Sequence, residues 1–282
     1  MIKVPKNFFI SFWERSGSTF LVDLLNQHPQ IVCEHEILAG DEAASSRHVP
    51  FSHEDALKVL DALYSSPAKP CRGFKFKCGA QQLNFSKLAR ELYQNRAVIF
   101  LYRKNLLKLF ISKLNQLALH QRHGVSNISQ GQEISLTEKI RWDKSLESYF
   151  FRYLYCTLAH NVCVYKNILK APHDVHVLSY EDLVGQTGQS LDSIFRFLQV
   201  ETMGLGNPPS GIVKISKDSI AENFEEPAAF LSFVEKTPFK NYLFHDGGDI
   251  DSWESSYNIR ISDYPEILEF ASSVFPMNTG NL

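Results

Sequence analysis

The chain reads as an α/β protein: a parallel β-sheet with helices on both faces, in three layers. Continuous apolar runs of strand length, Phe8–Trp13 and above all Ala97–Tyr102 (A-V-I-F-L-Y), predict strands buried on both faces. Segments with apolar residues at helical spacing alternate with these runs, as a parallel sheet requires. The 282 residues, 44 % of them hydrophobic and 21 % charged, support a substantial core. No internal repeat or linker interrupts them, so one domain over residues 1–282 is expected.

The elements follow in order. After Phe8–Trp13 comes a short polar loop, then Phe20, Leu21, Leu24 and Leu25 at helical spacing, with Pro29 as the stop. Ile31–Cys33 predicts a brief strand, and residues 39–53 a polar surface loop. Glu54–Leu63 predicts a helix and Cys71–Phe76 a strand with Phe74 and Phe76 on one face and Lys75 on the other. A short helix at Phe85–Tyr93 precedes the central run Ala97–Tyr102. Leu106, Phe110, Leu114 and Leu117 share a stripe on a helix over Lys104–His120. Residues 121–135 are polar and rich in Gly, Ser and Gln, and predict a loop. Ile140–Leu169 predicts one long helix or a bent pair, Val175–Ser179 a strand and Leu191–Leu198 a helix. Beyond Val200 no strand signal stands out, and the segment is expected to fold back over the sheet as loops and short helices.

Net charge is −2 with no long Lys/Arg run, which argues against a polycation and a nucleic-acid partner. Five cysteines (Cys33, Cys71, Cys78, Cys156, Cys163) form no C-x-x-C pair and no zinc spacing. They predict reduced, packed thiols. The N-terminus has no secretory pattern, and no stretch reaches the ~20 apolar residues of a spanning helix. A cytoplasmic protein without stable membrane insertion is expected.

The loop Glu14-Arg15-Ser16-Gly17-Ser18-Thr19 joins a strand to a helix. The first N–H groups of a helix lack intrahelical partners and face such a loop. Gly17 permits close backbone approach, the hydroxyls add donors, and Arg15 adds a planar fork suited to phosphate or sulfate. An ordinary turn with a capping hydroxyl is the alternative. No lysine precedes Ser18 or Thr19, so this is not a Walker A motif. A second cation, Arg103, follows the central strand. Ligands bind at the carboxyl ends of parallel strands, which places Arg103 and Arg15 alike. Asn105, Lys108 and Ser112 follow at spacings of three and four, along one polar helical face. Arg103 and Ser112 are therefore a candidate second anion station; a solvated helix face is the alternative. Where a phosphate-hydrolysing P-loop enzyme would place a magnesium-binding Asp, this chain has Arg103. A ligand with two separated anionic groups, bound without metal, is favoured over Mg–ATP.

These residues resemble the sulfotransferase family. W-E-R-S-G-S-T-F-L-V-D-L-L-N-Q-H-P followed by C-E-H-E is similar to its 5′-phosphosulfate loop, and L-Y-R-K-N-L-L-K-L-F-I-S-K to its 3′-phosphate motif. V-L-S-Y-E-D-L-V, L-D-S-I-F-R-F-L-Q-V and V-K-I-S-K-D-S-I-A-E-N resemble later segments, the last lying over the cofactor. The resemblance implies a P-loop-like sulfotransferase fold. It also implies transfer of a sulfuryl group from 3′-phosphoadenosine 5′-phosphosulfate (PAPS) to a hydroxyl of a carbohydrate, lipid or other small acceptor, leaving 3′-phosphoadenosine 5′-phosphate (PAP). By position, Arg15, Ser16, Gly17, Ser18, Thr19 and Phe20 match the 5′ loop and helix start. Arg103 and Ser112 match the 3′-phosphate pair, Glu36 a catalytic base, and Lys75 a lysine near the transferring group. Lys214 and Lys217 are looser matches. A P-loop small-molecule kinase and a catalytically inactive nucleotide-binding module are the competing readings.

A carboxylate within reach can take the acceptor's proton, and Arg15, Lys75 and the helix N-terminus can stabilise charge on the oxygen bridging to the leaving nucleotide. Glu34 and His35 rival Glu36 as base. Lys75 has the alternative of a solvent-facing lysine on an edge strand. The aromatics Trp142, Tyr149, Phe150, Phe151, Tyr153 and Tyr155 can line an acceptor pocket or belong to the core.

Overall fold

The computed structural model describes residues 5–38, 52–67, 69–77, 86–125, 127–131, 139–170, 174–204 and 208–274. The first half runs β1 (Phe8–Phe12), α1 (Ser18–Leu25), β2 (Ile31–Glu34), α2 (His53–Ser65), β3 (Cys71–Lys77), α3 (Ser86–Asn95), β4 (Ala97–Tyr102) and α4 (Leu106–His123). Next come β5 (Ile128–Ser129), α5 (Lys144–Ile168), β6 (Val175–Ser179), α6 (Tyr180–Gly185), α7 (Thr187–Leu198) and β7 (Ile212–Val213). Short helices α8 (Pro227–Val234), α9 (Trp253–Tyr257) and α10 (Pro265–Val274) complete the described chain.

The sheet has five strands in the order β2-β3-β1-β4-β6, all parallel. Period-two alternation divides its side chains between two apolar layers. Phe8, Ile10 and Phe12 pack with Leu21 and Leu25 of α1, Leu183 of α6 and Leu191 of α7. Phe9 packs on the other face with Phe74, Phe100, Phe110 of α4 and Leu158 of α5. Each such fully buried aromatic contributes about 2–3 kcal/mol of transfer free energy. The sole polar side chain of β1, Ser11, is buried and hydrogen-bonds the Tyr93 hydroxyl at 2.7 Å.

Strand order positions the site. The chain leaves β1 toward β2 and β3 on one side, then crosses to β4 and β6 on the other. The order reverses between β1 and β4, and a crevice opens at such a point beyond the strands' carboxyl ends. Arg15 follows β1 and Arg103 follows β4, so the two arginines stand on neighbouring strands.

The three longest strand predictions match closely, and several helix limits differ for local reasons. α4 starts at Leu106 rather than Lys104 because Asn105 is its cap, accepting the Lys108 N–H at 2.9 Å. It continues past His120 until Gly124 turns left-handed at φ 68°. The segment 140–169 forms one unbroken helix from Lys144, with Asp143 accepting the N–H groups of Ser145 and Leu146. Tyr180–Gly185 is a short helix that the apolar spacing did not announce. The segment beyond Val200 does hold a strand, the two-residue β7, which pairs antiparallel with β5 inside the predicted 121–135 loop. Of the loop expected at 39–53, residues 39–51 lie outside the described residues, as do Phe85 and Cys78; His53 already begins α2. The described cysteines, Cys33, Cys71, Cys156 and Cys163, are free. No described helix is long and apolar enough to cross a membrane.

Candidate active site

Backbone geometry shapes the loop first. Arg15 and Gly17 both have positive φ, 61° and 88°. A Cβ on Gly17 would also lie 2.3 Å from the ring of Tyr180, so glycine is required on two counts. No side chain caps the first turn of α1, which leaves its N–H groups facing the loop. The Ser16 hydroxyl is buried and has no hydrogen-bond partner among the described residues. An unsatisfied buried donor at a helix N-terminus suits an anion.

The two arginines meet across the crevice. The Arg15 Nε donates to Ser112 Oγ at 3.1 Å and its Nη1 to Asn127 Oδ1 at 3.4 Å. The Arg103 Nη1 donates to the Arg15 carbonyl at 3.3 Å, and its guanidinium lies 4.8 Å from the centre of the Tyr180 ring. Glu181 approaches the Arg103 Nε only to 3.7 Å, and that nitrogen has no hydrogen bond among the described residues. Glu181 is otherwise engaged in accepting the N–H groups of Lys104 and Asn105, at 2.7 and 3.1 Å. Burial is the main force pushing both guanidiniums below their ordinary pKa, and for Arg15 the charge of Arg103 adds to it. Desolvation therefore makes positive charge costlier at both side chains than in water.

A cleft of about 240 Å³ lies among these groups, lined by Arg15, Gly17, Ser18, Thr19 and Phe20 of the loop side and by Arg103, Ser112, Tyr180 and Lys214 opposite. Phe20 and Tyr180 meet edge to face at 6.5 Å. The cover over the cleft is β7 and its flanks. It is fastened by Asp23, which accepts the Gly211 N–H at 2.8 Å, and by Asn115, which donates to Ser216 Oγ at 3.1 Å. A larger cleft, about 560 Å³, is lined by Asn105, Lys108, Tyr242, Phe244 and Asp246 and includes neither arginine.

Lys75 is buried on β3, between β2 and β1, so the edge-strand alternative is wrong. Its Nζ donates to Thr19 Oγ1 at 2.9 Å and pairs with Glu36 Oε1 at 3.1 Å. The chain Glu36–Lys75–Thr19 thus links the turn after β2 to the start of α1. Of the three rival bases, Glu36 carries this ion pair and is half-buried, while Glu34 and His35 are exposed. Partial burial, then the Lys75 charge, lowers the His35 pKa.

Two expectations need correction. Asn105 and Lys108 do not continue the station of Ser112. Asn105 lies outside the helix, and its amide donates to the carbonyls of Tyr242 and His245 at 3.3 and 3.2 Å. Lys108 pairs with Asp246 at 3.0 Å. Lys217 is exposed, and its main chain exchanges two hydrogen bonds with Asn223, the N–H donating to Oδ1 at 3.0 Å and the carbonyl accepting from Nδ2 at 3.3 Å; Lys214 lines the cleft and pairs with Asp218. The aromatics of 142–155 are mainly core: Phe150 and Tyr153 are buried, and Trp142 packs on Phe230 at 4.8 Å. Tyr180, Glu181 and Asn127 carry geometry that the sequence reading assigned to no one. The first two lie in the V-L-S-Y-E-D-L-V motif; Asn127 has no signal beyond a polar loop.

The fold and crevice define a parallel α/β protein with a cleft lined by two arginines at the switch point of its sheet. A family model described as "Sulfotransferase domain" matches residues 5–256, and the chain belongs to that family. Among solved structures, the sulfotransferase from Alicyclobacillus acidocaldarius is 16% identical, with 88% of this chain and 98% of that one covered and a TM-score of 0.45. The mouse sulfotransferase SULT7A1 complexed with PAP is 11% identical over 92% and 89% of the two chains, also at 0.45. The sulfotransferase domain from the curacin biosynthetic pathway is 16% identical over 96% and 98%, at 0.45. No curated protein sequence matches the chain.

Proposed function

We propose that this chain, as a single domain over residues 1–282, is a PAPS-dependent sulfotransferase acting on a hydroxyl of a carbohydrate, lipid or other small acceptor. The observation that carries the reading is the pair of arginines on adjacent strand ends that line one cleft, the half-buried Arg15 and the buried Arg103, whose Nη1 donates to the Arg15 carbonyl at 3.3 Å. A nucleotide with two separated anionic groups complements the charge of such a pair. PAPS brings an activated sulfuryl group to the site and leaves as PAP.

In this reading the N–H groups of α1 and the Ser16 hydroxyl bind the 5′-phosphosulfate. Arg103, Ser112 and the fork of Arg15 bind the 3′-phosphate, with Lys214 turning in from the cover. Arg15 therefore serves both ends, its backbone in the 5′ loop and its side chain at the 3′ station. Phe20 and Tyr180 supply apolar surface for the base. Glu36 takes the proton of the acceptor hydroxyl as its oxygen attacks sulfur and the bond to the leaving phosphate breaks. Lys75, held by Glu36 and Thr19, is placed to stabilise the charge that grows on the departing oxygen.

The test is thermal shift with PAP and with Mg–ATP, followed by radiolabelled sulfate transfer from PAPS to sugars, lipids and phenols. PAP is expected to raise Tm and Mg–ATP to leave it unchanged. Stabilisation by Mg–ATP alone would point instead to a kinase.

A further inference from the structure

Glu14 lies at the centre of a cluster that the donor reading leaves without a role. Its Oε2 accepts from Lys77 Nζ at 3.3 Å and from Lys113 Nζ at 2.9 Å, tying the loop to the end of β3 and to α4. Burial acts upward on this carboxyl as the largest influence, but the two ammonium groups outweigh it and hold the pKa below the ordinary value. Lys77 also lies 5.7 Å from the centre of the Trp13 ring, and the Trp13 indole donates to Thr157 Oγ1 at 3.1 Å. The two residues before Arg15 are thus bound to β3, α4 and α5.

Arg15 itself is left-handed at φ 61°, a conformation that an arginine keeps only where its surroundings over-determine it. Arg103 holds its carbonyl on one side. On the other, the preceding residue is fixed by the two-lysine clamp. Relaxation of Arg15 to negative φ would re-aim its side chain and break the bond to Ser112.

We infer that Glu14 is a positioning residue for donor binding: clamped by Lys77 and Lys113, it keeps Arg15 left-handed and so directs the guanidinium to Ser112. The inference rests on the donor reading above. Glu14 does not line the cleft and acts through Arg15, which does.

A double-mutant cycle tests this, with PAP affinity read by calorimetry. Glu14→Gln is expected to weaken PAP about tenfold or more. The same substitution made in an Arg15→Ala background is expected to change affinity less than about twofold, because the group it positions is gone. A residue that merely stabilised the loop would cost the same in both backgrounds, and that result overturns the inference. Because Glu14→Gln leaves two ammonium groups facing each other, Lys113→Met provides a second route. It removes one arm of the clamp and is expected to weaken PAP several-fold, again only when Arg15 is present. Unchanged affinity in both single variants overturns the inference while the donor reading stands. Failure of the wild-type protein to bind PAP overturns the donor reading itself.

Discussion

Replacing Arg103 by methionine removes a buried charge while keeping much of the side-chain volume. In the donor-bound protein this guanidinium would make two charge-assisted hydrogen bonds to phosphate oxygens, each worth about 1.5–3 kcal/mol. The lower bound, about 3 kcal/mol in all, weakens binding about 150-fold. The cost to the free protein is smaller. The substitution loses a ring contact with Tyr180 at 4.8 Å and the hydrogen bond to the Arg15 carbonyl at 3.3 Å, together about 2 kcal/mol. It relieves a desolvated charge in return, and Glu181 keeps the N–H groups of Lys104 and Asn105. The net change should stay within about 2 kcal/mol, or about 3–4 °C in Tm for a chain of this size. Calorimetric titration with PAP, set beside thermal unfolding of the nucleotide-free protein, measures both. PAP affinity within threefold of wild type would refute the second anion station. So would a collapse of the fold, since it would make Arg103 a structural residue.

Three further outcomes follow from the same geometry. Glu36→Gln should lower kcat by about 10²–10⁴ while PAP affinity stays within about threefold; a parallel loss of PAP binding would make Glu36 a support for Lys75 rather than the base. Gly17→Ala should cost about 2–5 kcal/mol in urea unfolding, the sum of a left-handed penalty and overlap with Tyr180, and a loss below about 1 kcal/mol would contradict both terms. Burial, then the Lys77 charge, pushes His160 from 6.5 to about 3, so the unfolded chain binds its proton first as pH falls. That contribution is complete above the unfolded pKa and is lost progressively from there down through the folded one. Between pH 7 and pH 5 it amounts to about 2 kcal/mol, read as the extra pH sensitivity of wild type over His160→Gln in urea unfolding.

Much of this architecture is legible in the residues because strands buried on both faces have nowhere to place a polar side chain. Ala97–Tyr102 coincides with the observed strand for that reason, every residue of it buried; Val175–Ser179, at the sheet edge, is marked instead by its alternating valines. The arginine pair is legible because cations directly after apolar strands lie at carboxyl ends, and β1 happens to pair with β4. What spacing alone cannot supply is the partner that decides where a long side chain goes. Lys108 is one turn from Ser112, yet Asp246, far along the chain, draws it elsewhere. Lys75 reads as a lysine on the polar side of a strand, and only Glu36 and Thr19, from two other segments, explain its burial. A two-residue strand such as β7 has too few side chains to show any period, and its pairing depends on backbone bonds with β5.

The contact of Tyr180 with both Gly17 and Arg103 ties three distant positions into one heritable unit. A descendant that acquired a side chain at 17 would have to shrink the aromatic at 180. That would strip the guanidinium at 103 of its platform. Drift at any of the three is therefore checked by the other two, and a lineage that loses donor binding should show all three decaying together rather than singly.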